Sequence, residues 1–160
     1  MEATLLQPQV AQAGDLRAYQ DGYFRVLVAP EQTDNAFSLV EMHLAPGAEP
    51  PRHVHTREDE TFYVLEGEVR FQVGGNVLIA KAGQSAFGPR NVPHQFNILS
   101  LTARMLVLLT PGQFLDFFMD QSRPLAAAVP VSSPQGPPPP EVLAQVINSL
   151  REEHGVLFMP

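Results

Sequence analysis

Residues 23–109 carry the hydrophobic pattern of short strands. Runs rich in Val, Leu and Phe occupy 23–29, 37–44, 61–65, 69–73, 77–80 and 104–109. Turn-forming residues separate them: Ala45-Pro46-Gly47, Glu66-Gly67-Glu68, Gly74-Gly75-Asn76 and Ala82-Gly83. The pattern predicts no helix between 23 and 109, and no internal repeat is evident. One all-β sandwich or barrel is the expected architecture.

Beyond Thr110 the periodicity changes. In residues 111–120 (PGQFLDFFMD), Phe114, Phe117 and Phe118 fall at i, i+3 and i+4, one face of a short helix. Residues 121–140 hold seven prolines and end in four in a row, which predicts a stiff extended connector without chemistry of its own. Residues 141–154 read as an amphipathic helix with Val142, Leu143, Val146, Ile147 and Leu150 on one face, and Gly155 stands at the C-cap position. The apolar end, Val156-Leu157-Phe158-Met159, is expected to dock on the barrel or on a second subunit. The organisation expected is therefore an N-terminal extension (1–22), a β-barrel (23–110) and a helical, proline-rich C-terminal extension packing on it (111–160). These spare apolar elements also lead us to expect a homodimer.

Composition narrows the function classes. A chain of 160 residues with 44% hydrophobic and 17% charged content is sized for one globular domain. It has no apolar run long enough to span a membrane, and its first residues lack a basic n-region, so a cytoplasmic protein is expected. The net charge is −7, and the ten Lys and Arg are dispersed. That distribution argues against nucleic acid and against an anionic membrane surface, and leaves a small molecule as the expected partner. With no cysteine, any metal site must be built from His, carboxylate or other oxygen ligands.

One constellation carries chemistry. His53 and His55 share one face of a strand, and Glu60 opens the next apolar run. His94 follows the turn Gly88-Pro89-Arg90-Asn91-Val92-Pro93, whose prolines suit a loop that aims the side chain. Two imidazoles and a carboxylate suit one divalent ion (Fe, Mn, Ni, Cu, Co or Zn) and leave coordination positions open. His43 is expected at a surface or interface, and His154 beside a helix C-terminus. Arg57-Glu58-Asp59 reads as a solvated loop. No phosphate-binding loop and no Ser-His-Asp or Cys-His arrangement is present.

The stretch from Gly47 to Gly67 reads G-x5-H-x-H-x4-E-x6-G, and that from Gly83 to His94 reads G-x5-P-x-N-x2-H. Together they resemble the two motifs of the cupin superfamily, over residues 36–110 and with fifteen residues between them, as in small bacterial cupins similar to quercetin dioxygenases. The resemblance implies a double-stranded β-helix (jelly-roll barrel) with His53, His55, Glu60 and His94 holding a metal inside. It gives Gly47, Gly67 and Gly83 turn roles. Asn91 stands where the second motif has glycine, a substitution that left-handed geometry tolerates. Ile98 stands where the motif ends in asparagine, and Asn97, one residue early, points to the opposite face. The activity implied is a metal-dependent dioxygenase acting on a small organic molecule, aromatic or enolic, with Glu60 able to leave the metal and act as base. A metal-dependent isomerase or decarboxylase, and a non-catalytic binding or sensing protein, are the alternatives. Phe62, Phe96 and Ile98 are the expected pocket walls.

Overall fold

The computed structural model of the chain describes residues 16–159; the reading of the first fifteen residues as lacking a secretory signal lies outside them. Two antiparallel sheets face each other. The first has the order β11-β1-β2-β3-β10-β5-β8 and the second β12-β4-β9-β6-β7. The strands are β1 (Leu16–Tyr19), β2 (Gly22–Val28), β3 (Ser38–Leu44), β4 (His53–His55), β5 (Asp59–Glu66), β6 (Glu68–Val73), β7 (Asn76–Lys81), β8 (Ser85–Gly88), β9 (His94–Ile98), β10 (Ala103–Thr110), β11 (Arg123–Leu125) and β12 (Val156–Phe158).

Alternation decides which side chains enter the space between the sheets. Along β3, Ser38, Val40, Met42 and Leu44 are buried, and the residues between them are not. On β10 the inward row is Ala103, Met105, Val107 and Leu109, and on β5 it is Glu60, Phe62 and Val64. The β10–β5 register sets Val107 against Phe62 and Leu109 against Glu60, so a carboxylate stands at the end of an apolar row. Each fully buried Val, Leu, Met or Phe stabilises the fold by about 1.5–3 kcal/mol against leaving it exposed. The second sheet supplies the facing row, Val69, Phe71, Phe96 and Ile98.

Between 23 and 109 one short helical element does form, a 3-10 turn at Pro30–Thr33, which corrects the expectation of none. It is set by local chemistry: proline opens it, the Ala29 amide donates to the Gln32 side chain at 2.7 Å, and the Thr33 hydroxyl donates to the Phe37 carbonyl at 2.6 Å.

Past Thr110 a 3-10 turn leads into α1 (Leu115–Asp120), where Phe114, Phe117 and Phe118 are buried. The proline-rich stretch is not a free connector throughout. Its residues 123–125 form the edge strand β11 beside β1, and Pro124, which has no amide to donate, suits an edge. Arg17 ties this region down, donating to the Ser122 hydroxyl at 2.7 Å and to the Met119 and Ser122 carbonyls at 3.0 Å. The second helix, α2 (Pro140–Glu152), buries only Leu150, and Val142 and Leu143 on the same apolar face remain exposed. Gly155 then takes φ +68°, where a Cβ would meet the Thr56 hydroxyl at 2.5 Å. This turn delivers β12 to the free edge of β4. Among the described residues no helix is long and apolar enough to cross a membrane.

Candidate metal centre

The β12–β4–β9 edge and the start of β5 bring four side chains together from both sheets. On β4, His53 and His55 sit two residues apart and point the same way, and His94 on β9 is the cross-strand partner of His53. Glu60 arrives from the opposite sheet, where its strand pairs with β8 at Gly88. Gly88 lies directly beside the His94 ring, which a Cβ there would meet at van der Waals distance, 3.4 Å. One ligand atom from each of His53, His55, Glu60 and His94 lies within 4.8 Å of the others. All four residues are buried, at 5%, 1%, 4% and 3% exposure, so water does not solvate the cluster.

The contacts within the cluster are between atoms that ordinarily bind cations. His53 Nε2 and His55 Nε2 are 3.2 Å apart, His94 Nε2 is 3.0 Å from Glu60 Oε2, and His55 Nε2 is 3.5 Å from the same oxygen. The outward nitrogens face acceptors. Nδ1 of His53 donates to the Pro51 carbonyl at 2.8 Å, and Nδ1 of His94 donates to the Val92 carbonyl at 3.1 Å. Both bonds turn Nε2 toward the centre: on neutral His53 a proton on Nδ1 leaves the lone pair on Nε2, while His94 Nε2–H donates to Glu60 Oε2, a proton that a bound cation would replace. The donor set therefore fits a divalent cation.

Electrostatics agree. Burial pushes His53 down to about 4, with the Glu60 charge only partly opposing it, so this imidazole is neutral at pH 7 and able to ligate. Burial alone would raise Glu60, but His55, His94 and His53 outweigh it and bring the carboxyl down to about 2. For His94 burial acts downward, while the hydrogen bond and charge of Glu60 carry the net shift upward.

The surrounding loops are braced. Asn91, with φ +63°, takes the left-handed turn expected of it, and its amide donates to the His55 carbonyl at 2.8 Å. Arg90 grips Asp59 with Nη2 at 2.8 Å and Nε at 3.2 Å, coupling the turn before His94 to the residue before Glu60. Arg90 holds the Asp59 carboxyl below its ordinary range. The turn glycines Gly47, Gly67 and Gly83 all have positive φ.

Three features escaped the sequence reading. In the 57–59 segment Arg57 is exposed as expected, but Glu58 is 3% exposed and turned toward His55, and half-buried Asp59 is paired with Arg90. The Phe114 ring stands edge-on to His55 at 4.5 Å between centroids, and Phe158 of β12 lies 6.2 Å from His53. Their only signal was the apolar character of the two C-terminal segments. Phe62, Phe96 and Ile98 are buried in the core, where the Phe62, Phe71 and Phe96 rings lie 5.1–6.1 Å apart. His43 is held by the Tyr23 hydroxyl at 2.9 Å on the outer side of β3, and the His154 ring stands edge-on to Phe114 and Phe117. A surface cleft lined by Tyr19, Asp21, Asp120, Arg123 and Val129 contains none of the four clustered residues.

Residues 40–109 match the cupin domain family. The chain carries a cupin domain. Over 122 residues this cupin is 29% identical to quercetin 2,3-dioxygenase of Bacillus subtilis (strain 168), covering 76% of this chain and 36% of that protein. It is 32% identical over 129 residues to oxalate oxidase GF-3.8 of Triticum aestivum, covering 75% and 53%. The cupin thus spans between about a third and about a half of these two relatives' lengths. In fold it is similar to KdgF from Halomonas sp. (TM-score 0.58, 18% identity, 66% of this chain and 94% of that chain). It is also similar to an RmlC-like cupin from Shewanella frigidimarina (TM-score 0.56, 22% identity, 67% and 94%).

Proposed function

We propose that this cupin holds one divalent metal ion through His53, His55, Glu60 and His94 and is a metal-dependent dioxygenase for a small organic substrate. The observation that carries the reading is the convergence of four buried ligand atoms within 4.8 Å. Such an ion, when bound, supplies Lewis acidity and, for a redox-active metal, activation of oxygen.

The chain's own groups do the rest. His53 and His94 aim Nε2 at the centre by donating Nδ1–H to backbone carbonyls, and Glu60, which accepts from His94 Nε2 at 3.0 Å, supplies negative charge. Against burial, the neighbouring imidazoles hold the Glu60 carboxyl below its ordinary range, so it is ionised at neutral pH and able to ligate. Phe114, buried in the core, and Phe158 pack beside two of the imidazoles and keep bulk water away from that side. Oxygen chemistry is favoured over isomerisation or decarboxylation because both relatives above, over about three-quarters of this chain, are named for oxidations, one of quercetin and one of oxalate. The self-associated form proposed with it is a homodimer in the cytoplasm; a monomer mass in light scattering removes the dimer.

The test is oxygen consumption by metal-loaded protein across a panel of flavonols, enediols, 1,3-diketones and oxalate. Stoichiometric oxygen uptake with one class, lost in His53→Ala, supports the reading. Substrate bound and returned unchanged under air moves the protein to the binding or sensing class. Conversion without oxygen uptake moves it to the isomerases or decarboxylases.

A further inference from the structure

We infer that Glu58 is a positioning residue for the metal centre, holding the outward nitrogen of His55 and adding a second carboxylate charge behind it. This rests on the metal-binding reading above, and it concerns a residue that touches neither the proposed ion nor a substrate.

The three imidazoles are not supported alike. His53 and His94 turn Nδ1 to backbone carbonyls, neutral acceptors that belong to the strand and loop themselves. His55 turns Nδ1 to a side chain, with Glu58 Oε2 3.4 Å away. His55 and Glu58 are 1% and 3% exposed, so water does not compete for either group. Neither His55 Nδ1 nor Glu58 Oε2 has a formed hydrogen bond among the described residues. With Nε2 turned to a cation, the proton of neutral His55 stands on Nδ1; that donor and the Glu58 carboxylate then face each other with no other partner, and leaving either unpaired costs about 1–3 kcal/mol. The gap is only slightly longer than a formed N–H···O bond, and a movement of about 0.5 Å closes it.

Glu58 is held where it must be to do this. It lies three residues after His55, and both neighbours in the loop are tied. Arg57 Nη1 donates to the Glu153 carbonyl at 2.6 Å, and Asp59 is gripped by Arg90. Thr56 is fixed as well: its amide and its hydroxyl both donate to the Gly155 carbonyl, at 3.0 and 2.7 Å. The C-terminal segment therefore sets the loop that turns Glu58 inward, and Phe114 closes the ring face of His55.

The chemical consequence is specific to His55. A carboxylate behind an imidazole fixes the Nδ1–H tautomer and makes Nε2 a stronger donor than a backbone carbonyl does. With Glu60 on the near side and Glu58 on the far side, two carboxylates face one divalent cation across its ligand set. A glutamine in place of Glu58 keeps size and a hydrogen-bond acceptor but removes the charge.

The experiment is a Co(II) titration of the full chain, followed by the d–d absorption bands and by chelator competition, for wild type, Glu58→Gln, Glu58→Asp and His53→Ala. For Glu58→Gln we expect Co(II) affinity to fall about 10–100-fold, with shifted d–d bands. The metal-free variant should unfold at a temperature no lower than wild type, because a buried charge has been removed. Glu58→Asp should recover part of the lost affinity. Wild-type binding with Glu58→Gln within twofold and an unshifted spectrum overturns the assignment. So does a loss of affinity accompanied by a lower metal-free unfolding temperature in both Glu58 variants, which marks a purely structural role. Co(II) binding by neither wild type nor variants overturns the metal reading itself, and this inference with it, whereas loss in His53→Ala alone leaves the metal reading standing and refutes Glu58.

Discussion

Leu150→Ala probes whether the C-terminal segment holds the histidine strand in place. Leu150 is the one buried residue of α2, at 6% exposure, and Val146, one turn earlier, is partly buried against the same core. Replacing a buried leucine by alanine costs about 2–5 kcal/mol. The barrel's central rows, on β3, β5 and β10, do not depend on α2 for their pairing, so the loss falls on local closure of α2 and β12. At about 1.4 kcal/mol per tenfold, the open population rises roughly 30- to 4,000-fold. Opening breaks the β12–β4 ladder, the Met159 amide bond to the Arg52 carbonyl at 2.9 Å, and the Thr56–Gly155 pair. Native-state hydrogen exchange read by mass spectrometry is the assay. Peptides covering 52–57 and 154–159 should exchange faster in the variant, with β3 and β10 unchanged and metal affinity reduced. Equal loss of protection in all peptides, or none in 52–57, refutes the view that the segment is a local clasp on β4.

Acid should destabilise the metal-free protein in two windows. His53 lies at about 4 against an ordinary 6.5, so the unfolded chain takes the proton first; its contribution, about 3 kcal/mol by linkage, is complete above 6.5 and lost as pH falls to 4. Glu60, at about 2 against 4.5, contributes fully above 4.5 and loses its share as pH falls toward 2. His94, shifted upward, works in the other sense and loses its share as pH rises past 6.5. Urea midpoints at pH 6.5, 5 and 4 should fall in that order; a flat series contradicts the assignment. Asn91→Val, forcing a β-branched residue to φ +63°, should cost about 1–2 kcal/mol, and Asn91→Gly should be near neutral in the same melts. A valine variant as stable as wild type removes the left-handed turn from the account. Phe114→Ala, which empties space beside His55, should cost about 3–5 kcal/mol in chemical denaturation. A loss below about 1 kcal/mol means that the ring is not packed as described.

The strands of the barrel were legible because burial on one face imposes a period of two, and Ser38–Leu44 and Ala103–Thr110 keep it without interruption. The clustered residues were legible from spacing, since His53 and His55 share a strand face and Glu60 begins the next one. Glu58 was not: in a run of charged residues a buried glutamate looks like its solvated neighbours, and only the fold turns it toward His55. The pairing of β12 with β4 joins residues a hundred positions apart through three-residue strands, too short to carry a period. For the same reason Phe114 and Phe158 could be recognised as apolar but not as neighbours of the imidazoles. The proline-rich stretch hid β11, because its extended residues find β1 only in three dimensions.

The claim on which the account rests is that His53, His55, Glu60 and His94 hold one metal ion. Plasma mass spectrometry on full-length, tag-free protein, beside His53→Ala, His55→Ala, Glu60→Ala and His94→Ala variants confirmed folded by circular dichroism, addresses it directly. The account predicts close to one equivalent of a single divalent transition metal in the wild type and a large loss in each variant. Metal-free wild type after reconstitution, or full metal content in all four variants, would contradict it.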